Sequence, residues 1–482
     1  MRVSNLGAVL LASLASFSGL VSASNATFAS AKAKEFLVSQ DVPGVPFKLP
    51  HSWAGTLPIS GNEDESRKLF FWLWKPENDV GHDDVVIWLN GGPGCSSLEG
   101  LFQENGPIQL PMGETDKVVK NPYSWTNLSY VVYIENPVGV GFTEGTPNIR
   151  GEYDMAREFY GFLQQFYSTF EELQGKRLWI TGESYAGMYI PYIAHEIYNH
   201  GANASGINLQ GIAINDPSFT SDFLGEEAPA FEYFEKYHSV MGVNASDVEK
   251  VRAKAKKLGV ETYVADNLNY PPKGHISVPS QFNLSKDSIW EPIYELASTN
   301  PCFSIYEIKP DCSLTVDQLG MPLNTQEASK HNFINDTPGL KEAIHVNTST
   351  AWVECTDTNV FQASKYQGDY STPPDRSVLP GVIEKNQRTV IQHGTYDFVL
   401  IANGSALAIQ NMTWNGAMGF NNKPSTPVKF DGKTHGVMGE ERGLTFVLVD
   451  GSGHMIPQFK PKTAYKLQQY LLGQITKDDF DQ

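Results

Sequence analysis

Residues 177–192 read Arg-Leu-Trp-Ile-Thr-Gly-Glu-Ser-Tyr-Ala-Gly-Met-Tyr-Ile-Pro-Tyr, and the fold turns on how they are interpreted. Residues 177–181 are apolar and partly β-branched, as a buried strand requires, and from Met188 to Ile197 apolar residues recur at helical intervals. Between them lies Gly182-Glu183-Ser184-Tyr185-Ala186-Gly187. A strand that becomes a helix in so few residues leaves little room for side chains around the central serine, and Gly182, Ala186 and Gly187 meet that demand. The Ser184 hydroxyl would project at the positive end of the new helix, where a developing oxyanion is favoured. The same pattern fits an ordinary strand–turn–helix connection, so partners elsewhere in the chain must decide.

Upstream, residues 52–59 and 68–75 are rich in β-formers and flank a polar loop, which predicts a hairpin. Residues 85–89 read as a buried strand running into Asn90-Gly91-Gly92-Pro93-Gly94-Cys95-Ser96-Ser97. That glycine-rich loop exposes backbone N–H groups, and as a plain turn it would be unremarked. Residues 130–135 form the next expected strand, 155–170 an amphipathic helix, and 208–215 a strand after the elbow. Downstream, a helix is expected near 340–346, a strand at 388–392, a helix at 402–414, a strand at 444–449 and a helix at 461–472. Strands alternating with helices predict an α/β-hydrolase fold, a mostly parallel sheet flanked by helices. Residues 217–339 break the alternation, being charged, helical in the middle and later rich in Pro and Asn. The reading is a core of 24–216 and 340–482 with 217–339 as an inserted, mainly helical cap.

With 41% apolar and 12% aromatic residues over 482 positions, the chain has a globular composition. Its net charge of −18 argues against a nucleic-acid or anionic-membrane partner. Residues 1–23 read as a secretory signal, with Arg2, an apolar run and a small-x-small end at Val21-Ser22-Ala23. No later stretch is apolar enough for a bilayer span, and the polar C-terminus lacks a lipid-anchor tail. Nine Asn-x-Ser/Thr sequons, at Asn25, Asn127, Asn203, Asn244, Asn283, Asn335, Asn347, Asn403 and Asn411, suit a secreted or vacuolar glycoprotein. Of the four cysteines, Cys302 and Cys312 can close a short loop worth about 2–3 kcal/mol, leaving Cys95 and Cys355 as a long-range staple. Their spacing is not that of a metal site, no phosphate-cradling glycine loop occurs, and no cofactor is expected.

After a nucleophilic serine, the fold's chain order calls for an acid and then a histidine, each following a late strand. Residues 389–398 run through a strand into Asp397, and residues 446–454 run through a strand and Gly451-Ser452-Gly453 into His454. His51, His82, His200, His238, His275, His331 and His435 lie in polar or irregular stretches, and His195 and His345 fall on expected helices. His393 sits within the Asp397 loop and can support it. Asp450 competes with Asp397, but its closeness to His454 leaves little freedom to orient the ring.

Taken together, residues 88–97, Gly182-Glu183-Ser184-Tyr185-Ala186-Gly187, residues 394–398 and Gly451-Ser452-Gly453-His454-Met455-Ile456-Pro457 resemble the secreted and vacuolar serine carboxypeptidases over nearly all of the mature sequence. The resemblance implies Ser184 as nucleophile, His454 as base and Asp397 as its orienting acid. It also implies an oxyanion hole from the N–H groups of Gly92 and Tyr185, and a Cys95–Cys355 disulfide. Asn90, Glu104 and Glu183, with the Gly91 backbone, would bind the terminal carboxylate of a peptide or protein substrate. Two glutamates facing a carboxylate make sense if protonated, since a neutral carboxyl donates a hydrogen bond. The chain departs from many relatives in its Gly394-Thr395-Tyr396-Asp397 segment, in Thr143 and in having few cysteines, differences that bear on specificity. Two rival readings keep the fold: an esterase or acyltransferase acting on small molecules, and a catalytically inactive binding protein.

Overall fold

A computed structural model describes residues 28–62, 64–113, 117–201, 206–309, 312–313, 316–322, 331–362 and 368–481. The expected signal segment, Asn25 and Asn203 lie outside them. Among the described residues eleven strands form one sheet: β1 (Leu37–Val38), β2 (Ser52–Pro58), β3 (Lys68–Trp74), β4 (Asp84–Leu89), β5 (Tyr130–Ile134), β6 (Arg177–Glu183), β7 (Asn208–Asn215), β8 (Arg388–Gly394), β9 (Thr426–Phe430), β10 (Lys433–Glu441) and β11 (Leu444–Val449). Their order is β1-β2-β3-β5-β4-β6-β7-β8-β11-β10-β9.

From β5 to β11 neighbouring strands are parallel, and antiparallel pairs flank them on both sides. The hairpin at 52–75 is as expected. The edge hairpin β9–β10 was not expected, because its strands are short or largely solvent-facing and carry little apolar alternation. The helix expected at 402–414 ends at Asn411, and Thr413–Trp414 pairs with Ala417–Met418 instead. Only Leu340–Ala343 of the segment 340–346 is helical.

Side chains alternate across the sheet and build two cores. On β4, Val85, Ile87 and Leu89 face one side and Val86 and Trp88 the other. Helices α1 (Glu152–Thr169) and α2 (Ala186–His200) cover the first side through Phe159, Phe162, Phe166, Ile190 and Ile193. The C-terminal helix Pro461–Leu471 covers the second through Leu467 and Leu471. Between β7 and β8 no described residue joins this sheet. Helices α3 (Ala228–Tyr237), α4 (Ala245–Leu258) and α5 (Trp290–Ala297) enclose a third apolar cluster that includes Phe231, Phe234 and Ile293 and closes on Phe398 and Leu407. Helix α4 has strong local signals: Asn244 caps its N-terminus and Gly259 ends it at φ +76°. No described helix is long and apolar enough to cross a membrane.

The register of the parallel strands decides where their loops meet. Leu89 lies opposite Gly182, Glu183 opposite Asn215, Asn215 opposite Gln392, and Gly394 opposite Val449. Five strands thus end along one edge, where open parallel sheets gather their sites.

The fully buried Phe71 ring packs 5.3–6.3 Å from the rings of Phe36, Phe162, Phe166 and Phe170. Phe71→Ala should cost about 3–5 kcal/mol, read as a lower midpoint in denaturant unfolding; an unchanged midpoint would mean that this cluster does not hold the first core together.

Candidate active site

Ser184 leaves β6 at φ +59°, a conformation rare for a residue with a side chain, and α2 begins two residues later. Neighbouring backbone fixes this corner from both sides. The Ser184 N–H donates to Asn215 O at 3.0 Å, and Ser218 N–H donates to Ser184 O at 2.9 Å. A methyl group on Gly182 would strike Leu89 O, and one on Gly187 would stand 2.5 Å from Ser218 O. One on Gly91 would run into Tyr185 N, so the loop after β4 lies directly against the elbow. The N–H groups of Gly92 and Tyr185 donate to no described group.

Asp397, fully buried on the turn after β8, accepts the N–H of Val399 at 2.8 Å and of Leu400 at 3.2 Å on Oδ1. Its Oδ2 meets His454 Nδ1 at 2.8 Å. Burial alone would raise the Asp397 pKa, but the His454 and His393 rings outweigh it and hold the carboxyl below its ordinary value. The competing Asp450 is exposed. His454 and Ser184 line one cavity of about 230 Å³, with Gly91, Gly92 and Glu183 on its wall. His454 is the one histidine on that wall among the described residues. Asp216, Asp397 and His454 each bring a ligating atom within 4.8 Å of the others. Within that group His454 Nδ1 is hydrogen-bonded to Asp397.

Asn90 organises a second set. Trp88 Nε1–H donates to its Oδ1 at 2.7 Å and Gly100 N–H at 3.1 Å, which turns its buried amide nitrogen toward the neighbouring acids. That nitrogen reaches Glu183 at 3.0 Å and Glu104 and Glu99 at 3.4 Å. Burial pushes Glu104 up to about 8, even though hydrogen bonds with Glu183 and Asn90 pull the other way. Burial, then the charge of Glu104, drives Glu183 well above its ordinary range. Glu104 is not on the cavity wall but behind it, reached through Asn90 and Glu183.

Three acids on the wall had no sequence signal of their own: Glu99, Asp317 and Glu354. Glu354 precedes Cys355, and the Cys95–Cys355 disulfide carries it to the site. The Cys302–Cys312 disulfide is also present. Behind Cys95, buried Glu135 accepts from Ser96 Oγ, Phe142 N–H and Trp352 Nε1, and burial raises it to about 7.

A family model described as serine carboxypeptidase matches residues 43–474. The chain belongs to the serine carboxypeptidase family. This carboxypeptidase, a hydrolase of the exopeptidase class, is 40% identical over 470 residues to a probable serine carboxypeptidase of Arthroderma benhamiae, covering 92% of this chain and 87% of the relative. It is 36% identical to serine-type carboxypeptidase F of Aspergillus niger, with 92% and 88% covered. The solved structure of Kex1(Δ)p, a prohormone-processing carboxypeptidase of Saccharomyces cerevisiae, aligns with a TM-score of 0.71 at 21% identity, covering 92% of the carboxypeptidase and 97% of that chain, a likeness of fold.

The buried acids make the carboxypeptidase's stability depend on pH. A carboxyl raised in the folded state contributes stability that is full below its ordinary pKa near 4.5 and is lost as pH climbs through the folded value. With Glu135 at about 7 and Glu104 at about 8, the thermal midpoint should fall between pH 5 and pH 8. Melting curves across that interval check this; a flat or rising midpoint contradicts it.

Proposed function

We propose that this serine carboxypeptidase releases C-terminal amino acids from peptides and proteins through an acyl-enzyme on Ser184, and does so best at acidic pH. What supports the reading most directly is a nucleophile elbow sharing its cavity wall with a buried glutamate whose partner lies behind it. Asp397 holds the imidazole by Nδ1, leaving Nε2 to take the Ser184 proton. The oxyanion that forms is received by the N–H groups of Gly92 and Tyr185. His454 then protonates the departing amino acid, and water releases the shortened peptide by the reverse path. Neither a metal nor a cofactor takes part in this sequence.

Recognition of a chain end falls to Asn90, Glu104 and Glu183 with the Gly91 backbone. As a neutral acid on the wall, Glu183 donates to the substrate's terminal carboxylate while Glu104 supports it from behind, and once ionised the pair repels that carboxylate. An enzyme built to hydrolyse small esters needs no such set, which favours the peptidase reading over that rival.

The helical segment 217–339 acts as a cap beside the site. Residues 1–23 route the chain through the secretory pathway to the vacuole or the exterior. Two disulfides and the sequons support that route. Of the described sequons, Asn244, Asn283, Asn335 and Asn347 are exposed. Asn335 is less suited to carry a glycan, because its amide bonds the backbone of Trp352 at 2.8 and 3.0 Å.

A blocked dipeptide and its C-terminal amide separate the readings: the free acid should be cleaved far faster. Ser184→Ala should lower kcat by at least about 10⁴-fold without loss of fold. Equal cleavage of both substrates would favour the esterase, and no cleavage by the wild type would favour a binding protein. KM for the free acid should rise as pH passes from about 5 toward 8, as the raised acids ionise. Glu183→Gln, whose amide donates at every pH, should flatten that rise; a wild-type KM that is constant over the range would exclude the protonated pair.

A further inference from the structure

Among the buried acids that the acyl-enzyme chemistry leaves unused, one stands beside the triad. Asp216 follows β7 directly, at φ +43°, with no exposed surface. Its Oδ1 accepts the Gly394 N–H at 2.7 Å, while Oδ2 meets no donor among the described residues. It stands in the group whose ligating atoms lie within 4.8 Å of one another, with Asp397 and His454. His393 Nε2 lies 3.5 Å from both Asp216 Oδ1 and Asp397 Oδ2, yet its hydrogen is taken up by Leu400 O at 2.7 Å, and Nδ1 meets Ser405 Oγ at 2.9 Å. The other groups bearing on the two carboxyls are Glu104 and Glu183 on the elbow side, Glu226 and Tyr233 from the helical insertion, and Tyr306 over the His454 ring.

We propose that Asp216 is a positioning residue for the triad, a neutral acid that donates its hydrogen to Asp397 and so tempers the charge that Asp397 presents to His454 Nδ1. The inference rests on the Ser184–His454–Asp397 reading. An oxygen without a donor beside a carboxylate is satisfied when it carries the proton itself. Burial, then the charge of Asp397, drives Asp216 well above the ordinary range, whereas Asp397 is held below it, so the proton resides on Asp216. A donor on Asp397 draws off part of its negative charge and so weakens its hold on an imidazolium. The enzyme needs this because its two requirements oppose each other: the glutamates must be protonated to hold the substrate, while the imidazole must be bare to act as base.

The test is the pH profile of kcat/KM on a blocked dipeptide for wild type, Asp216→Asn, Asp216→Gly and Ser184→Ala. Glycine suits the positive φ and removes the donor. Asparagine keeps an oxygen for Gly394 N–H and an amide hydrogen for Asp397. The acid limb of Asp216→Gly should move up by about half to one pH unit, and Asp216→Asn should restore the wild-type limb. If Asp216→Gly does not fold, Asp216→Ala, which has no side-chain donor, takes its place with the same expected shift. Coincident limbs for wild type and the donor-free variant overturn the proposal, as does an Asp216→Asn limb shifted as far as that of Asp216→Gly. Activity in Ser184→Ala would instead overturn the triad reading itself.

Discussion

Strands β4 and β6 run side by side in parallel, Leu89 opposite Gly182, and both chains turn sharply just past that pair. Two turns so close together cannot both carry side chains, which is why Gly182 faces Leu89 O and Gly91 faces Tyr185 N. The remaining geometry depends on this contact. It brings the Gly91-Gly92 backbone up to Ser184, sets Ser184 at a positive φ, and leaves N–H groups of both loops uncommitted at one spot. The same sheet edge delivers Asp216, Asp397 and His454 from the ends of β7, β8 and β11, so the site is an outcome of register before it is an outcome of chemistry.

Electrostatics sets the second constraint. The site buries acids with few bases near them, and charged acids at such density would repel one another and lack solvation. The structure resolves this by holding most of them neutral: Glu104 and Glu183 around Asn90, and Glu135 beneath the disulfide. Asp397 goes the other way, held below its ordinary range by His454 and His393 in spite of its burial. Its hydrogen bond to Nδ1 gives the imidazole a fixed orientation.

The core of this arrangement was legible in the sequence because it depends on residues with strong local signatures. The glycines of the elbow, the glycine-rich loop after β4 and the two late strands running into Asp397 and His454 each carry their own pattern. The choice of Asp397 over Asp450 came from reach, and burial explains it: one is sealed beneath the histidine and the other is exposed. The edge hairpin β9–β10 was not legible, since its pairing comes from neighbours rather than from apolar alternation. Nor were Asp317, Glu354 and Asp216. Their importance comes from distant chain brought close by the fold, and nothing at positions 216, 317 or 354 announces it.

The bond between Cys95 and Cys355 spans 260 residues and fastens the loop bearing Gly91 and Gly92 to the far side of the cavity. Reduction would leave that clasp to two backbone hydrogen bonds, Ser96 N–H to Glu354 O at 2.7 Å and Thr356 N–H to Gly94 O at 3.0 Å, so a thiol reductant loosens the wall through its backbone and not through the reacting side chains.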